Sequence, residues 1–426
     1  MTAFLARVAR TYYEKHQSDI SRFTFVFPNK RAGVFFQRYL SQLLSQPLFS
    51  PEIISISECF SSASTYQLAD RLNNLFRLYD IYRSVSGSDE SFDTFLYWGE
   101  MLLSDFDEID KYLVNAKQIF TNITDLKQID EVFDVLTERQ KEAIKEFWSH
   151  FVPFTQGQPK ADYISTWKIL YPLYENFRAE LKAENLATEG MMCRELAETL
   201  LSRKEIDEWK DKFFVFVGFN ALNSCEKVLF NALMKEERSD FYFDYEADEL
   251  RDENNLASRF YKENINQFPS RYSVGVEAES AQEREIELIA VPSQVGQAKE
   301  IYSILNNLFL SGKQNVDPIN TALVLSDENL LLPLLHSLPE QIEQVNVTMG
   351  FPLKSTPISG LFEYILELQR RVRISGDKVS FYHKNVLSIL HHQYISFCCA
   401  EEARQIDNSM IENNRIYVDA DEFGSH

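Results

Sequence analysis

The residues of this chain best suited to chemistry on a polyanion stand together near its start: Asn29, Lys30, Arg31 and Arg38, with Phe35 and Phe36 between them. Lys and Arg meet phosphate through charge and an aromatic ring stacks on a base, so this set could hold a single strand of nucleic acid. The same three cations could equally be the solvated start of a helix, and the residues alone leave both readings open. His383, His391 and His392 with Cys398 and Cys399 form the other conspicuous group, because imidazole and thiolate ligate zinc. Their spacing fits no familiar closed site, and packing or surface roles are favoured. Glu208-Trp209-Lys210 supplies the ExK half of a nuclease motif but lies in a charged helix end, 203–212, without a strand-borne Asp. A solvated helix accounts for it better. Asp244 could be a metal carboxylate at a strand end, but capping the strand or facing water is the favoured role. No GxxxxGK[ST] occurs in the sequence, so the loop that cradles a triphosphate and its magnesium is missing.

Such side chains need elements to carry them. Phe4, Leu5, Val8, Ala9 and Tyr12 have helical spacing. Phe23-Thr-Phe-Val-Phe27 reads as a short buried strand closed by Pro28-Asn29, and Val34, Phe35, Tyr39, Leu40 and Leu43 return to helical spacing. The basic group is therefore expected where a helix leaves a strand. Ile53-Ile-Ser-Ile56 is a second candidate strand, with Ser57 as a cap ahead of Glu58. Helical periodicity follows over 68–85, 92–107, 137–151, 164–184 and 191–202 with few strand signals. That is a helical insertion of roughly 140 residues, near the size of a domain. Phe213–Val217 and Phe241–Tyr245 read as further strands around a helix over Cys225–Lys235. Strands at Glu287–Val291 and Thr321–Leu325 flank a helix over 294–310, the alternation of a parallel sheet with crossovers. Residues 359–371 and 380–395 read as helices, and the sequence ends after Arg415-Ile-Tyr-Val418 without an evident closing unit.

With 426 residues, 45% of them hydrophobic, the chain can fill the cores of about two to four domains. A formal charge of −21 excludes coating of nucleic acid by bulk electrostatics, so any DNA contact needs a local basic surface. Charge is uneven: residues 89–110 hold eight acidic side chains and neither Lys nor Arg, expected as a solvated helical face or a receiver for a basic partner. No uninterrupted apolar stretch of about 18 residues and no secretory signal occur, so no membrane contact and a cytoplasmic location are expected. The five cysteines, Cys59, Cys193, Cys225, Cys398 and Cys399, are scattered and lack a CxxC pair. Reduced, mostly buried thiols are expected rather than a disulfide framework or zinc ribbon.

Phe27-Pro-Asn-Lys-Arg-Ala-Gly-Val34, leaving a strand and opening a helix, resembles motif Ia of the UvrD- and RecB-like superfamily I DNA helicases. An αβ core interrupted by a long helical insertion and followed by a second αβ core is their layout too. Ala322-Leu-Val-Leu-Ser-Asp-Glu-Asn329 resembles the strand before motif IV, and Gly350-Phe-Pro-Leu-Lys-Ser-Thr-Pro-Ile358 the segment after it. The order of parts, across essentially the whole chain, most resembles the AddB-type subunit of the AddAB helicase-nuclease, especially its inactivated-helicase members. The resemblance implies an α/β fold with a RecA-like (P-loop NTPase-like) helicase core lacking the P-loop. Residues 1–66 and 212–284 would form a degenerate first RecA-like domain and 67–211 a large all-α insertion. Residues 285–374 would begin a second RecA-like domain and 375–426 a second helical insertion. In the family motif Ia contacts single-stranded DNA, so Asn29, Lys30, Arg31, Phe35 and Arg38 are the expected DNA-binding residues. Departures from the pattern argue against a motor. No phosphate-binding loop precedes residues 3–16, Gly218-Phe219-Asn220 stands where the family places Asp-Glu, and Ser326-Asp327 stands where an Arg would support phosphates.

The function implied is a non-motor, helicase-like region that binds single-stranded or end-containing DNA and docks onto an AddA-like motor subunit. It would scaffold double-strand-break processing in recombinational repair. No catalytic residue, cofactor or metal is expected within the chain; the family's PD-(D/E)XK nuclease would follow residue 426, and the four-cysteine iron–sulfur pattern of some AddB proteins has no match. The rival expectation is a protein-interaction scaffold that keeps a vestigial helicase fold and does not touch DNA. An ATPase with an unusual nucleotide site is least favoured, because three catalytic elements are missing.

Overall fold

The structure, a computed structural model, describes residues 3–44, 46–122, 159–202, 206, 209–245, 256–274, 286–310, 321–376, 378–413 and 415–419. The chain is mixed α/β and divides into two compact units, Met1–Glu283 and Arg284–His426. The helix expected over 137–151 lies outside the described residues.

In the first unit α1 (Phe4–His16) leads into β1 (Phe23–Phe27), α2 (Lys30–Leu43), β2 (Glu52–Ser55) and α3 (Ile56–Ser62). After a helical stretch come β5 (Phe213–Val217), α9 (Ser224–Lys235), β6 (Ser239–Tyr242) and α10 (Arg259–Gln267). The four strands make one parallel sheet in the order β2-β1-β5-β6. Apart from Thr24, its two central strands are apolar, because both of their faces are covered. Phe25, Phe27, Val215 and Val217 pack on Val8, Tyr12, Phe36 and Leu40 of α1 and α2. On the other face Val26, Phe214 and Phe216 pack with Phe60, Leu229 and Phe230 of α3 and α9. The crossovers β1-α2-β2 and β5-α9-β6 thus lie on opposite faces and run outward in opposite directions. Strand order reverses between β1 and β5, the place where open α/β sheets leave a crevice at their carboxyl ends.

Between β2 and β5 runs the helical stretch: α4 (Arg71–Ser86), α5 (Phe92–Lys111), α6 (Ala116–Asn122), α7 (Pro159–Ala183) and α8 (Glu189–Leu201). It has a core of its own, built on Leu75, Leu78, Phe95, Trp98, Phe106, Leu173, Tyr174 and Phe177. Two-residue strands, β3 (Gln67–Leu68) and β4 (Leu186–Ala187), pair in parallel at its base. Only period and length carry strand signals in a sequence, so pairs this short escape it, and Leu68 falls in β3 rather than in the helix expected from that residue.

Three local expectations need correcting here. The cap of α3 is Ser55, in a reciprocal box with Glu58, and not Ser57, whose hydroxyl instead bonds Glu189. β6 begins at Ser239, earlier than Phe241, because a buried carboxylate, Asp240, sits inside it. The acidic run 89–110 is not simply a solvated face: Asp110 is 1% exposed, Asp107 pairs with Lys111 at 2.9 Å, and Glu100 pairs with Arg71.

The second unit contains α11 (Gln294–Leu305), continued by a π-helical turn over Asn306–Leu310, then α12 (Leu331–Leu335) and α13 (Pro357–Arg370). β7 (Arg373–Ser375), β8 (Lys378–Tyr382) and β9 (Tyr417–Asp419) form a small antiparallel sheet in the order β7-β8-β9. Between β8 and β9 lie α14 (His383–Leu390), α15 (Gln393–Cys398) and α16 (Ala400–Glu412). The strands expected at Glu287–Val291 and Thr321–Leu325 are not formed, and Leu288 and Val324 are 92% and 89% exposed. An apolar run gives a strand only where a neighbouring backbone pairs with it. The helix expected over 380–395 is instead a strand at its start, since Lys378–Tyr382 finds partners on both sides.

Candidate nucleic-acid interface

β1 delivers its last residue, Phe27, to the carboxyl end of the sheet beside the strand-order reversal, and Pro28 then stops it. Asn29, extended at φ −151°, caps α2: its side-chain oxygen accepts the Ala32 N–H at 3.0 Å. That is the usual reason for Asn at such a position, since the first helical N–H groups have no partner within the helix. α2 lies close on the sheet because residue 33 is glycine; a Cβ there would sit 2.8 Å from Ile53 Cγ2. Gly33, Phe36 and Leu40 are buried on the inner face. The outer face is then fixed by helical geometry: Arg31, Val34, Phe35 and Arg38 fall on one stripe at spacings of three and four.

Each expected contact residue can now be placed. Arg31 and Arg38 are exposed and have no ion-pair partner among the described residues. Phe35 is half-buried, its ring 6.4 Å from that of Tyr39, while Phe36 is fully buried between Phe25 and Phe27 and cannot stack on a base. Lys30 is exposed but engaged, its ammonium 2.8 Å from Glu58. That contact and the Ser55 backbone N–H hold the Glu58 carboxyl far below its ordinary range, at about 2. The stripe therefore offers two guanidinium groups without an ion-pair partner among the described residues and one half-buried ring, with Asn29 committed to the helix cap and Lys30 neutralised by its neighbour. Such a surface can meet phosphates through charge and one base by stacking.

At the carboxyl end of β5, Gly218 has φ +81°, a left-handed turn that favours glycine, and donates its N–H to the Tyr242 carbonyl at 2.8 Å. Phe219 is buried and Asn220 exposed, its carbonyl accepting from Asn264 at 2.6 Å. Asp327 accepts from the backbone and side chain of Asn329 at 3.0 and 2.9 Å, a turn-closing role. Among the described residues no group of three or more His, Cys, Asp or Glu could hold a metal ion. His391 pairs with Asp407 at 3.0 Å, His392 contacts the Pro357 carbonyl at 2.9 Å, and His383 contacts that of Ile416 at 3.2 Å. Cys398 and Cys399 are exposed, whereas Cys59, Cys193 and Cys225 are buried. In the ExK triplet Trp209 is core and Lys210 exposed; Glu208 lies outside the described residues. Asp244 is exposed and lies two residues beyond the end of β6, so it does not belong to the strand as expected.

Two buried carboxylates escaped the sequence because their partners are remote in the chain. Asp240 accepts from Tyr12 Oη at 2.6 Å, Tyr242 Oη at 2.7 Å, and the backbone N–H groups of Phe241 at 2.9 Å and Arg271 at 2.7 Å. Burial, with the Asp240 charge beside it, drives the Tyr12 hydroxyl far above its ordinary range, so it stays a donor. Asp110 accepts from Tyr174 Oη and Arg194 Nε, both at 2.6 Å, with Arg178 at 3.6 Å, joining α5, α7 and α8. Burial raises the Asp110 carboxyl pKa against the pull of those cations. Both carboxylates are tied to several donors from other elements and serve to fix the scaffold.

No helix among the described residues is long and apolar enough to cross a membrane. No family model matches the chain, and no curated protein matches it.

Proposed function

We propose that this chain is a non-motor, helicase-like region that binds single-stranded or end-containing DNA and scaffolds double-strand-break processing alongside an AddA-like motor subunit. The observation that carries the proposal is the stripe of exposed Arg31 and Arg38 with half-buried Phe35 between them, on a helix that leaves a central strand next to the strand-order reversal. The sheet's parallel order, with a long helical stretch between β2 and β5, is compatible with a RecA-like first domain carrying an insertion. Gly218 and Asp327, engaged in turns, supply no carboxylate pair or arginine for nucleotide chemistry, which fits a passive role.

The test is fluorescence anisotropy with a labelled single-stranded oligonucleotide across a salt series, with and without ATP. Binding that weakens with salt, ignores ATP and is clearly weakened by Arg31→Glu with Arg38→Glu is the expected result. Binding unchanged by the charge reversal removes the stated contact site. A second reading, a scaffold that works through proteins alone, is favoured by the charge of −21 and by the neutralisation of Lys30. No binding even at low salt would establish that reading over the first.

A further inference from the structure

The small antiparallel sheet of the second unit has one face inside and one outside, and the outer face carries its own chemistry. Phe381 and Val418 turn inward onto the core of Val386, Leu390, Ala403 and Met410. Because side chains alternate along a strand, Lys378, Ser380 and Tyr382 of β8 share the opposite face. The register adds neighbours on that face: Arg373 stands opposite Ser380, and Tyr417 opposite Tyr382. The Tyr382 and Tyr417 rings are 5.9 Å apart, and the Arg373 guanidinium reaches across small Ser380 to lie 5.1 Å from the Tyr417 ring centre. Arg373, Lys378 and Tyr417 are exposed and Tyr382 half-buried. Asp419, opposite Ser380 on β9, is the acidic group in the described register of that face. Arg370, exposed at the end of α13, adds a further cation next to β7 in the chain.

We propose that this face is a second contact for single-stranded DNA: a stacking platform in which Tyr382, Tyr417 and the Arg373 plane receive successive bases while Lys378 and Arg370 meet phosphates. Two adjoining aromatic rings and a guanidinium plane on an open sheet match the two features of a single strand, its unstacked bases and its charge. A duplex hides its base faces and offers nothing to the rings. The inference rests on the single-strand reading above but invokes bases, whereas the α2 stripe works chiefly through phosphates.

Anisotropy with oligo(dT), an abasic deoxyribose-phosphate oligomer of equal length and oligo(rU) separates the two. The full chain is expected to bind oligo(dT) about tenfold more tightly than the abasic oligomer, and Tyr382→Ala with Tyr417→Ala to erase that preference. Tyr382→Phe with Tyr417→Phe keeps both rings and should retain it, which distinguishes stacking from loss of fold; a circular dichroism melt checks the alanine variant directly. Wild-type binding with no base preference, or a preference untouched by the alanine variant, overturns the platform while leaving the α2 stripe standing. Tighter binding of oligo(rU) than of oligo(dT) would also overturn it, in favour of RNA. No binding of any oligomer removes both proposals.

Discussion

Asp240 holds four donors and is 1% exposed, so its removal strands two tyrosine hydroxyls and two backbone N–H groups in the interior. Each unmet donor costs on the order of 1–3 kcal/mol, so Asp240→Ala should lower stability by at least ~3 kcal/mol in urea unfolding. Tyr12→Phe leaves the carboxylate three partners and should cost only about 1 kcal/mol. Thiol reactivity offers a second check. Burial pushes the Cys59 and Cys225 thiols up to about 12 and raises Cys193 as well, so none supplies thiolate near neutral pH. Two of the five cysteines, Cys398 and Cys399, should therefore react with a disulfide reagent in the folded protein, and all five only after denaturation. The Glu58–Lys30 pair sets a pH dependence. A carboxyl lowered from 4.5 to about 2 stabilises the fold fully above about pH 5 and loses its contribution as pH falls through the window down to 2. With the Glu58 side chain 43% exposed, solvent screening keeps that contribution below about 1 kcal/mol. Glu58→Gln should slightly flatten the acid limb of urea midpoint against pH and leave the neutral region nearly unchanged.

At the scale of elements, the approach of α2 to the sheet depends on Gly33. Gly33→Val places a branched side chain against Ile53 and should cost ~1–3 kcal/mol, while Ser55→Ala, which breaks the α3 cap, should cost about 1 kcal/mol; both are readable by urea unfolding. β1 and β5 could be read directly from the sequence because burial on both faces leaves an unbroken aromatic and β-branched run. α1, α2 and α9 were equally legible from their periodicity. β6 starts two residues before and ends three residues before the expected 241–245; its start is missed because a charged residue looks like a boundary until its partners, Tyr12 from α1 and Arg271 from a later loop, are known. β8 reads locally as the start of a helix because its pairing with β7 and β9 is non-local information. The exposed 287–291 and 321–325 segments show the opposite failure, an apolar pattern without a partner strand. At the candidate interface the stripe itself was legible, but helix position alone separates half-buried Phe35 from fully buried Phe36, and nothing local announced that Glu58 would engage Lys30.

At the scale of the molecule, the excess of acidic groups makes the basic spots matter more. A few phosphate contacts against a field of net −21 should give a modest salt slope, with log affinity falling by about 0.7 per contact for each log unit of salt on a single strand. Reversing Arg31 and Arg38 should reduce that slope by roughly one to two in the same assay. The two units draw on separate cores, so a fragment of residues 1–283 should fold cooperatively by itself, with a single transition in circular dichroism; a molten fragment would show that the division of the chain is not a division of stability. The register of the main sheet also reaches back to the protein's birth. Phe23 pairs with Phe213, a residue made 190 positions later. A ribosome moving at about 5–20 residues per second takes roughly 10–40 s to cover that distance. Throughout it a strand with three phenylalanines in five residues waits with its central neighbour unsynthesised, so slower translation across the helical stretch lengthens the time for which β1 stands unpaired on that side.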